Sequence, residues 1–300
     1  MPRLLLIAVL VGLIIYIIKN AISPKVPDRL SPDFFRVPGE TLNLIFAIGV
    51  SFFVLLVLLR VTFGLILLGM VGAVVMVKLK QSQLLGQGIK VSKMQLPEVY
   101  EAVEVASRRL GMEQPEVYVI QSQEINAYAM GVIGKKTVVL HSKTIECMNQ
   151  GELTSILGHE FSHILCGHTK WIALTSSARF VRIPLVSMLL DFIFLFWSRK
   201  AEYTCDRGGL IACEDLNASI KALIKLSVGE HLFHQMNLSE LLSQKEALDS
   251  DIFSMLSEKM STHPYIIKRI VASKRFYDSE LYSEFVKYRT MTPNHDPGKT

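Results

Sequence analysis

The sequence predicts an α+β protein that is mostly helical, with N-terminal transmembrane helices followed by a catalytic domain. Long uncharged apolar runs within residues 1–80 predict the transmembrane part. Beyond them, short runs rich in β-branched residues alternate with longer runs of helical periodicity, which indicates a small sheet among helices. A His-Glu-x-x-His motif at residues 159–163 lies within one helical run and marks the expected active-site helix.

Two segments predict a membrane anchor over residues 1–80. Residues 4–18 are uncharged and fit either a retained signal anchor or the core of a signal peptide, and Lys19–Pro24 is a poor cleavage site, which favours the anchor. Residues 42–77 contain one full charge, Arg60. A single helix of this length would extend roughly 54 Å, against about 30 Å of hydrocarbon. The segment is therefore either one long span or a hairpin that turns at Arg60.

Residues 81–290 are predicted to form the catalytic domain, and the polar residues 291–300 a flexible tail. Pro97 near a first turn and two arginines near the last turn predict a helix that ends at Leu110. Another helix is predicted over residues 152–167, around the His-Glu-x-x-His motif. The short runs that predict strands are residues 115–120, 126–131 and 137–141.

A third apolar stretch, residues 183–197, lies beyond the His-Glu-x-x-His helix. It is too short for its length to distinguish a soluble core helix from a segment that dips into the membrane beside the active site. Basic residues flank both of its ends and would anchor both at one interface, which favours a dip over a crossing. Both interpretations, core helix and membrane dip, remain open.

The charge and the cysteines bear on partners and compartment. The formal net charge of +5 is spread along the chain without a basic run, so nucleic acid is not an expected partner. The four cysteines show no short paired spacing, which favours free thiols in a reducing compartment over disulfides. The sequence does not indicate an oligomeric state. The cysteines are Cys147, Cys166, Cys205 and Cys213.

The His-Glu-x-x-His motif has the spacing of a metal site. Positions i and i+4 of a helix share a face, so His159 and His163 can hold one Zn²⁺ per subunit, with Glu160 beside a bound water. A catalytic zinc ion needs one more protein ligand if its fourth position is to hold water. Glu202 can supply this ligand from a second helix, and Asp206, one turn further on, is placed to accept the free ring N–H of a ligating histidine.

Five segments form a combination that is specific enough to compare with known families. They are Asn126–Gly131, Val138–Ser142, Glu152–His163, Ser198–Arg207 and Ser261–Pro264. Together they resemble the HtpX-like branch of the membrane zinc metallopeptidases, the family that also contains the CAAX prenyl endopeptidases. The resemblance covers residues 84–270 and implies a zincin-type catalytic domain. One departure is Cys205, where the family usually has alanine, another small residue.

The resemblance implies the same three zinc ligands and the same general base, Glu160, as the spacing does. It also places Arg199 and His263 near the site, as candidates to stabilise the oxyanion, although a lone His-Pro is also typical of a helix start. The run Asn126, Ala127, Tyr128 and Ala129 resembles the edge strand on which such peptidases bind a substrate backbone. Strand addition of this kind binds any extended peptide. An ordinary core strand is the alternative.

The remaining candidate ligands carry a weaker signal. Cys166, three residues after His163, could approach the metal, but a small buried residue is the simpler interpretation. The other histidines have no partner pattern and are predicted to be surface or core residues. These histidines are His168, His231, His234 and His295.

These observations predict a membrane-anchored zinc endopeptidase that acts on unfolded or misfolded membrane proteins, a quality-control role that the resemblance implies. The expected partners are polypeptide substrates and the lipid bilayer. The expected location is the inner cell membrane, with the catalytic domain in the cytoplasm. This orientation rests on the thiols and the resemblance, because the counts of lysine and arginine on the two sides of the predicted spans nearly balance.

Two alternatives remain at this point. One is a CAAX-type prenyl-peptide endopeptidase, although the chain has few spans with which to enclose a lipidated peptide. The other is a non-catalytic membrane scaffold that keeps zinc only for structure. Such a scaffold would not need Glu160, because a purely structural metal site uses no base.

Overall fold

The computed structural model of the protein describes residues 35–131, 134–172, 184–251 and 263–291. The predicted span at 4–18 lies outside these residues, as does nearly all of the predicted tail at 291–300. The helices, in chain order, are α1 Glu40–Gln87, α2 Pro97–Leu110, α3 Ser142–Cys147, α4 Gln150–Leu165, α5 Pro184–Cys213, α6 Leu216–Phe233, α7 Leu238–Ser250, α8 Ile266–Tyr277 and α9 Glu280–Met291. The strands are β1 Ile89–Lys90, β2 Glu116–Ile120, β3 Ala127–Met130 and β4 Thr137–His141.

The strands form one small sheet in the order β1-β2-β4-β3. β2 and β4 are parallel, whereas β1 and β3 pair antiparallel with their neighbours. β2 and β4 are buried in the centre of the sheet, and β3 is an edge strand. The helices α2, α4 and α5 supply most of the core against this sheet. The prediction of a mostly helical fold with a small sheet is therefore confirmed.

The first described helix, α1, includes the predicted anchor segment 42–77. It is one continuous helix, and Arg60 lies inside it rather than at a turn. Its start packs on the catalytic domain, because Glu40 and Ala47 are buried and α1 contacts α5. Within the described part of the chain, no helix combines the length and the apolar character needed to cross a membrane. The membrane anchor over residues 1–80 stays a prediction.

The third apolar stretch forms the first half of the long helix α5. Its side chains up to residue 193 lie outside the described residues, so the choice between a core helix and a membrane dip also stays a prediction. At the C-terminal end of the stretch, Trp197 is almost completely buried. α5 continues from there without a break to Cys213 and carries Glu202 and Asp206.

The start of α4 is fixed by a capping box. The Asn149 side chain accepts a hydrogen bond from the Glu152 N–H at 2.9 Å, and the Glu152 carboxylate accepts one from the Asn149 N–H at 3.0 Å. The same carboxylate bonds the buried Lys225 Nζ of α6 at 2.9 Å. Lys225 also donates to the Cys147 carbonyl at 2.7 Å, at the end of α3. These bonds fix where the active-site helix begins and how it faces α6.

Glycines allow α4 and α5 to cross closely. A Cβ on Gly158 of α4 would collide with the Cβ of Ala212 and lie 3.0 Å from the Gly208 carbonyl. A Cβ on Gly208 of α5 would collide with the Ser162 side chain, whose hydroxyl donates to the Gly158 carbonyl at 2.7 Å. Close approach of the two backbones therefore depends on the missing side chains, and it brings side chains of both helices to one point.

This contact gives a testable prediction for stability. Gly208→Ala should lower the free energy of unfolding by about 1–3 kcal/mol, because the added methyl overpacks the helix crossing. Adding Ser162→Gly should recover much of the loss, since it removes the side chain that the methyl strikes. Gly49→Ala is the matched control, because a Cβ there meets no atom within 4 Å. Chemical denaturation measures all three. An equal loss in the single and double variants would contradict the packing argument.

Candidate active site

The close crossing of α4 and α5 brings two histidines and one carboxylate together. Nε2 of His159 and Nε2 of His163 are 3.3 Å apart. Glu202 of α5 places one carboxylate oxygen 3.6 Å from Nε2 of His159 and the other 3.6 Å from Nε2 of His163. A tetrahedral zinc ion with Zn–N bonds of about 2.0–2.1 Å separates neighbouring ligand atoms by roughly 3.3 Å. The spacing of the three side chains therefore fits a zinc ion.

A contact with Asp206 determines which ring nitrogen of His159 carries the hydrogen. Nδ1 of His159 lies 3.1 Å from an Asp206 carboxylate oxygen, which can only accept, so Nδ1 carries the hydrogen. Asp206 is held in turn by Arg269 through two bonds of 2.9 and 2.6 Å. In neutral His159 the lone pair is then on Nε2, and it faces His163.

A different chain of contacts determines which ring nitrogen of His163 carries the hydrogen. Nε2 of His168 lies 2.9 Å from a Glu40 carboxylate oxygen and must donate to it. Neutral His168 then has its lone pair on Nδ1, which lies 3.2 Å from Nδ1 of His163. His163 therefore donates from Nδ1 and has its own lone pair on Nε2. Two lone pairs that face each other at 3.3 Å, in a buried site, require a cation or a proton between them.

The surrounding charges also favour a positive charge at this point. Burial alone would raise the pKa of Glu202, but its bonds with His163 and His263, together with the Arg269 charge, hold that pKa well below its usual range. Burial alone would lower the pKa of His163, but the Glu202 carboxylate raises it. An ionised carboxylate beside two imidazoles favours a cation at this point, either a proton on an imidazole or a metal ion that all three side chains bind. His159, His163 and Glu202 are thus the residues that could hold the metal.

Cys205 is a second candidate for the third ligand. Its Sγ lies within 4.8 Å of ring nitrogens of His159 and His163. However, it is 3.5 Å from Nδ1 of His168, which lies on the Nδ1 side of His163, away from the facing lone pairs. Burial also raises the pKa of this thiol well above its usual value, which disfavours the thiolate. Glu202 is therefore the better third ligand. Cys166 is half-buried at the end of α4.

Glu160 lies beside the ligand group and lines a cavity of about 310 Å³. Its carboxylate is hydrogen-bonded by the backbone of Ala129. Burial raises the pKa of Glu160, while His159 and His163 lower it. A carboxylate with a raised pKa accepts a proton more readily than an exposed one, which suits a general base.

The two residues assigned only by resemblance lie in different places. His263 is at the mouth of the cavity, with Nδ1 3.0 Å from a Glu202 oxygen and its side chain 62% exposed. Arg199 lies over the ring of Phe196, 4.9 Å from the ring centroid, and is not among the residues that line the cavity. Arg269 occupies the position beside the ligands that was expected of Arg199. The roles of His263 and Arg199 stay predictions.

The edge strand β3 runs beside α4 and the cavity. The Asn126 carbonyl accepts from the His141 N–H at 3.0 Å, so the hydrogen-bonded pairs with β4 fall at 126, 128 and 130. The main-chain groups of Ala127 and Ala129 therefore point away from β4, towards the open edge. The Asn126 N–H bonds the Thr144 hydroxyl at 2.8 Å and is not available to a further strand. Of the predicted substrate run, the two alanines have backbones in the right orientation, but the Ala129 N–H is already bonded to the Glu160 carboxylate.

Comparison with known proteins decides the family. A family model described as Peptidase family M48 matches residues 93–275, more than half of the chain. The chain belongs to peptidase family M48. The resemblance to HtpX-like M48 peptidases and the predicted class of enzyme, a metalloendopeptidase, are confirmed by this match and by the HtpX relatives.

Two relatives of this M48 chain illustrate the range of sequence identity and coverage. Plastoglobule-localized metallopeptidase 48 from Arabidopsis thaliana is 31% identical over 243 residues, which cover 77% of this chain and 66% of the relative. Protease HtpX from Acinetobacter baumannii (strain AYE) is 26% identical over 209 residues, 57% of this chain and 69% of the relative. The match thus spans about two thirds of each relative's length.

One solved structure is also similar. The crystal structure of Ste24p from S. mikatae aligns with a TM-score of 0.45 and 18% identity, covering 78% of this chain and 65% of that one. A likeness at this level is too weak to support an argument about substrate or topology.

Sequence reasoning missed three residues of this M48 site. Arg269 lies on an amphipathic helix, and from the sequence alone its charge cannot be distinguished from that of a solvent-exposed arginine. His168 was predicted to be a surface or core residue, and it is buried, but in contact with a candidate ligand. Glu40 lies more than a hundred residues before the motif. The one available signal was the proximity of His168 to His163 in the sequence, which does not indicate contact once the helix has ended at Leu165.

The bond between Arg269 and Asp206 predicts a pH-dependent stability. Burial alone would raise the pKa of Asp206, but Arg269 and His159 hold it below its usual value. Such a carboxylate stabilises the fold above its unfolded pKa of about 3.9, and the contribution is lost as pH falls through the folded value. Arg269→Gln should therefore cost about 3–5 kcal/mol near pH 7. The cost should shrink towards pH 4, because without Arg269 burial raises the pKa of Asp206, so the variant protonates this carboxylate at a higher pH than the wild type and no longer buries an unpaired charge.

Denaturation of the metal-free protein at pH 7 and at pH 4 measures this difference. Lys135→Gln is the control, because Lys135 pairs with Glu116 at the surface, with its own side chain 81% exposed. An exposed pair of this kind contributes little to stability, so its removal should change the free energy of unfolding by a similarly small amount at both pH values. A cost of Arg269→Gln that is the same at both pH values would show that Asp206 does not depend on the cation.

Proposed function

We propose that the protein is a zinc endopeptidase that cuts extended or unfolded polypeptides, with Glu160 as general base. The observation that carries this proposal is the pair of imidazole lone pairs that face each other at 3.3 Å beside an ionised carboxylate. His159, His163 and Glu202 would hold one Zn²⁺. A non-catalytic scaffold would not require Glu160, whose carboxylate lines the cavity next to these ligands.

The chemistry assigned to the residues follows from their positions. Zinc, when bound, supplies a Lewis acid that polarises the scissile carbonyl and acidifies water. Glu160 takes a proton from the attacking water and delivers it to the leaving amine. Asp206 and Arg269 keep His159 in the tautomer that presents its Nε2 lone pair. His263, at the mouth of the cavity, is the candidate to contact the substrate oxyanion.

The edge strand supports the proposed class of substrate. The outward-facing main-chain groups of Ala127 and the outward carbonyl of Ala129 can pair with an extended peptide that lies between β3 and the ligand group, whereas the Ala129 N–H is already bonded to Glu160. Backbone pairing selects for extended conformation rather than sequence. Beyond the ligands, the cavity is walled by apolar side chains, including Ile156, Leu223 and Ile266, which would accept an apolar side chain near the scissile bond.

We also propose that residues 1–80 anchor the protein in the inner cell membrane, with the catalytic domain in the cytoplasm and misfolded membrane proteins as substrates. The sequence of 42–77, with Arg60 as its one full charge, supports this proposal. α1 also exposes large apolar side chains, among them Phe46, Phe52 and Phe53, at 67%, 58% and 68% exposure. The four cysteines are free thiols, which fits a reducing compartment.

The general base can be tested directly. Glu160→Gln should retain zinc and lose proteolysis by at least roughly a hundredfold, because an amide fills the same space but cannot accept the water's proton. Metal analysis and casein hydrolysis on detergent-purified protein measure both. Glu202→Ala is the companion variant and should lose the zinc itself. Near-normal turnover of zinc-loaded Glu160→Gln would refute the proposed mechanism.

The substrate class can be tested on the edge strand. Ala127→Pro removes an outward N–H without removing a bond to β4, so the sheet should be retained. The KM for an unfolded protein should rise, while the zinc content stays the same, because the substrate backbone loses a partner. Ala127→Ser keeps the N–H and is the matched control.

The same assay separates the proposal from prenyl-peptide processing. An unfolded protein and a prenylated cysteine peptide are offered in detergent, with Glu160→Gln as the blank. Zinc-dependent cleavage of the unfolded chain at several sites is expected. Cleavage confined to the prenylated peptide would overturn the assignment of the substrate class.

A further inference from the structure

The ligand candidate His163 is bonded on its outer side to a chain of buried side chains. His168 is 1% exposed and Glu40 is 2% exposed. The chain runs from Nδ1 of His163 to Nδ1 of His168 at 3.2 Å, and from Nε2 of His168 to Glu40 at 2.9 Å. Glu40 is the first residue of α1, so the outermost member of the chain comes from a helix far away in sequence.

We propose that His168 and Glu40 are positioning residues for His163, and that α1 contributes to the metal site through them. This inference rests on the zinc site proposed above. It assigns to His163 an outer partner that differs in kind from that of His159. His159 donates directly to a carboxylate, whereas His163 donates to a neutral imidazole that is itself oriented by a carboxylate.

Contacts on every side of Glu40 hold it in place. Nε of Arg36 lies 3.1 Å from one carboxylate oxygen, and the Thr204 hydroxyl of α5 donates to the other. Thr204 also accepts from the Val37 N–H at 3.1 Å. The position at the N-terminus of α1 places the carboxylate at the positive end of the helix dipole. Glu40 therefore presents a fixed acceptor to His168.

The ring of His168 is fixed by its neighbours. Trp197 packs against it edge to face, with ring centroids 5.5 Å apart. With Nε2–H committed to Glu40, the lone pair on Nδ1 is the acceptor for His163. This arrangement fixes both the orientation of the His163 ring and the nitrogen that faces the metal.

A purely structural role, in which the cluster only ties α1 to the domain, is the alternative, and amide substitution separates the two. Leucine at 168 fills space but offers no acceptor to His163. Glutamine offers a carbonyl oxygen to His163 and an N–H to Glu40, in the same order as the imidazole. A positioning role predicts that His168→Gln retains zinc binding and that His168→Leu does not.

The experiment uses the full-length protein in detergent and measures zinc affinity by competition with a chelator. His168→Leu should bind zinc about ten- to a hundredfold more weakly than wild type, and Glu40→Leu should weaken binding in the same direction. His168→Gln should bind zinc with an affinity within about threefold of wild type. This is a smaller change than the loss that follows when a ligating histidine loses its hydrogen-bond partner. His141→Gln is the control, a buried histidine that contacts the Glu124 carbonyl and does not line the cavity.

Two further measurements sharpen the test. The visible spectrum of Co²⁺-loaded protein should change in His168→Leu and not in His168→Gln, because it reports the geometry of the ligands. Thermal unfolding of the metal-free variants reports the structural contribution by itself. Equal zinc affinity in wild type and His168→Leu, or an equal loss in His168→Leu and His168→Gln, would overturn the proposal. Zinc binding without peptide cleavage in wild type would count against the proposed function alone, because metal affinities decide this inference.

Discussion

The close approach of α4 and α5 is the constraint on which the rest of the structure depends. Neither helix carries the whole candidate metal site: α4 supplies two imidazoles and the carboxylate proposed as general base, and α5 supplies the carboxylate that completes the ligand group. The facing glycines let the two backbones come near enough for these short side chains to meet. The capping box and the buried Lys225 then set the rotation of α4, so that the motif faces α5 and the cavity.

The two histidines of the site are oriented by different hydrogen-bond partners, and these partners come from different parts of the chain. His159 is oriented by a carboxylate and an arginine from the C-terminal half of the protein. His163 is oriented by an imidazole and a carboxylate that reach back to the start of α1. The metal site therefore sits between the two ends of the described chain. Both ends must be packed correctly before both lone pairs point to the same place.

Sequence reasoning found the parts of this arrangement that are local. The helix with His-Glu-x-x-His, the helix that begins at Pro97 and the three longer strands follow from periodicity and capping, which act over a few residues. The order of the sheet does not, because β2 pairs directly with β4, although β3 lies between them in the sequence, and such a pairing depends on long-range contacts. The same holds for Arg269 and Glu40, whose partners are distant in sequence. The resemblance named Arg199 and not Arg269, because a position in a motif does not fix where a long side chain ends.

The open edge of β3 has a consequence for the life of the protein itself. If β3 binds any extended backbone, as proposed, it would not distinguish foreign chains from other copies of its own chain. Newly made copies that have not yet folded, and old copies that have lost their fold, present the same extended backbone to the active sites of folded neighbours. The amount of the protein in a cell would then be limited by its own intact copies, which remove the unfolded ones.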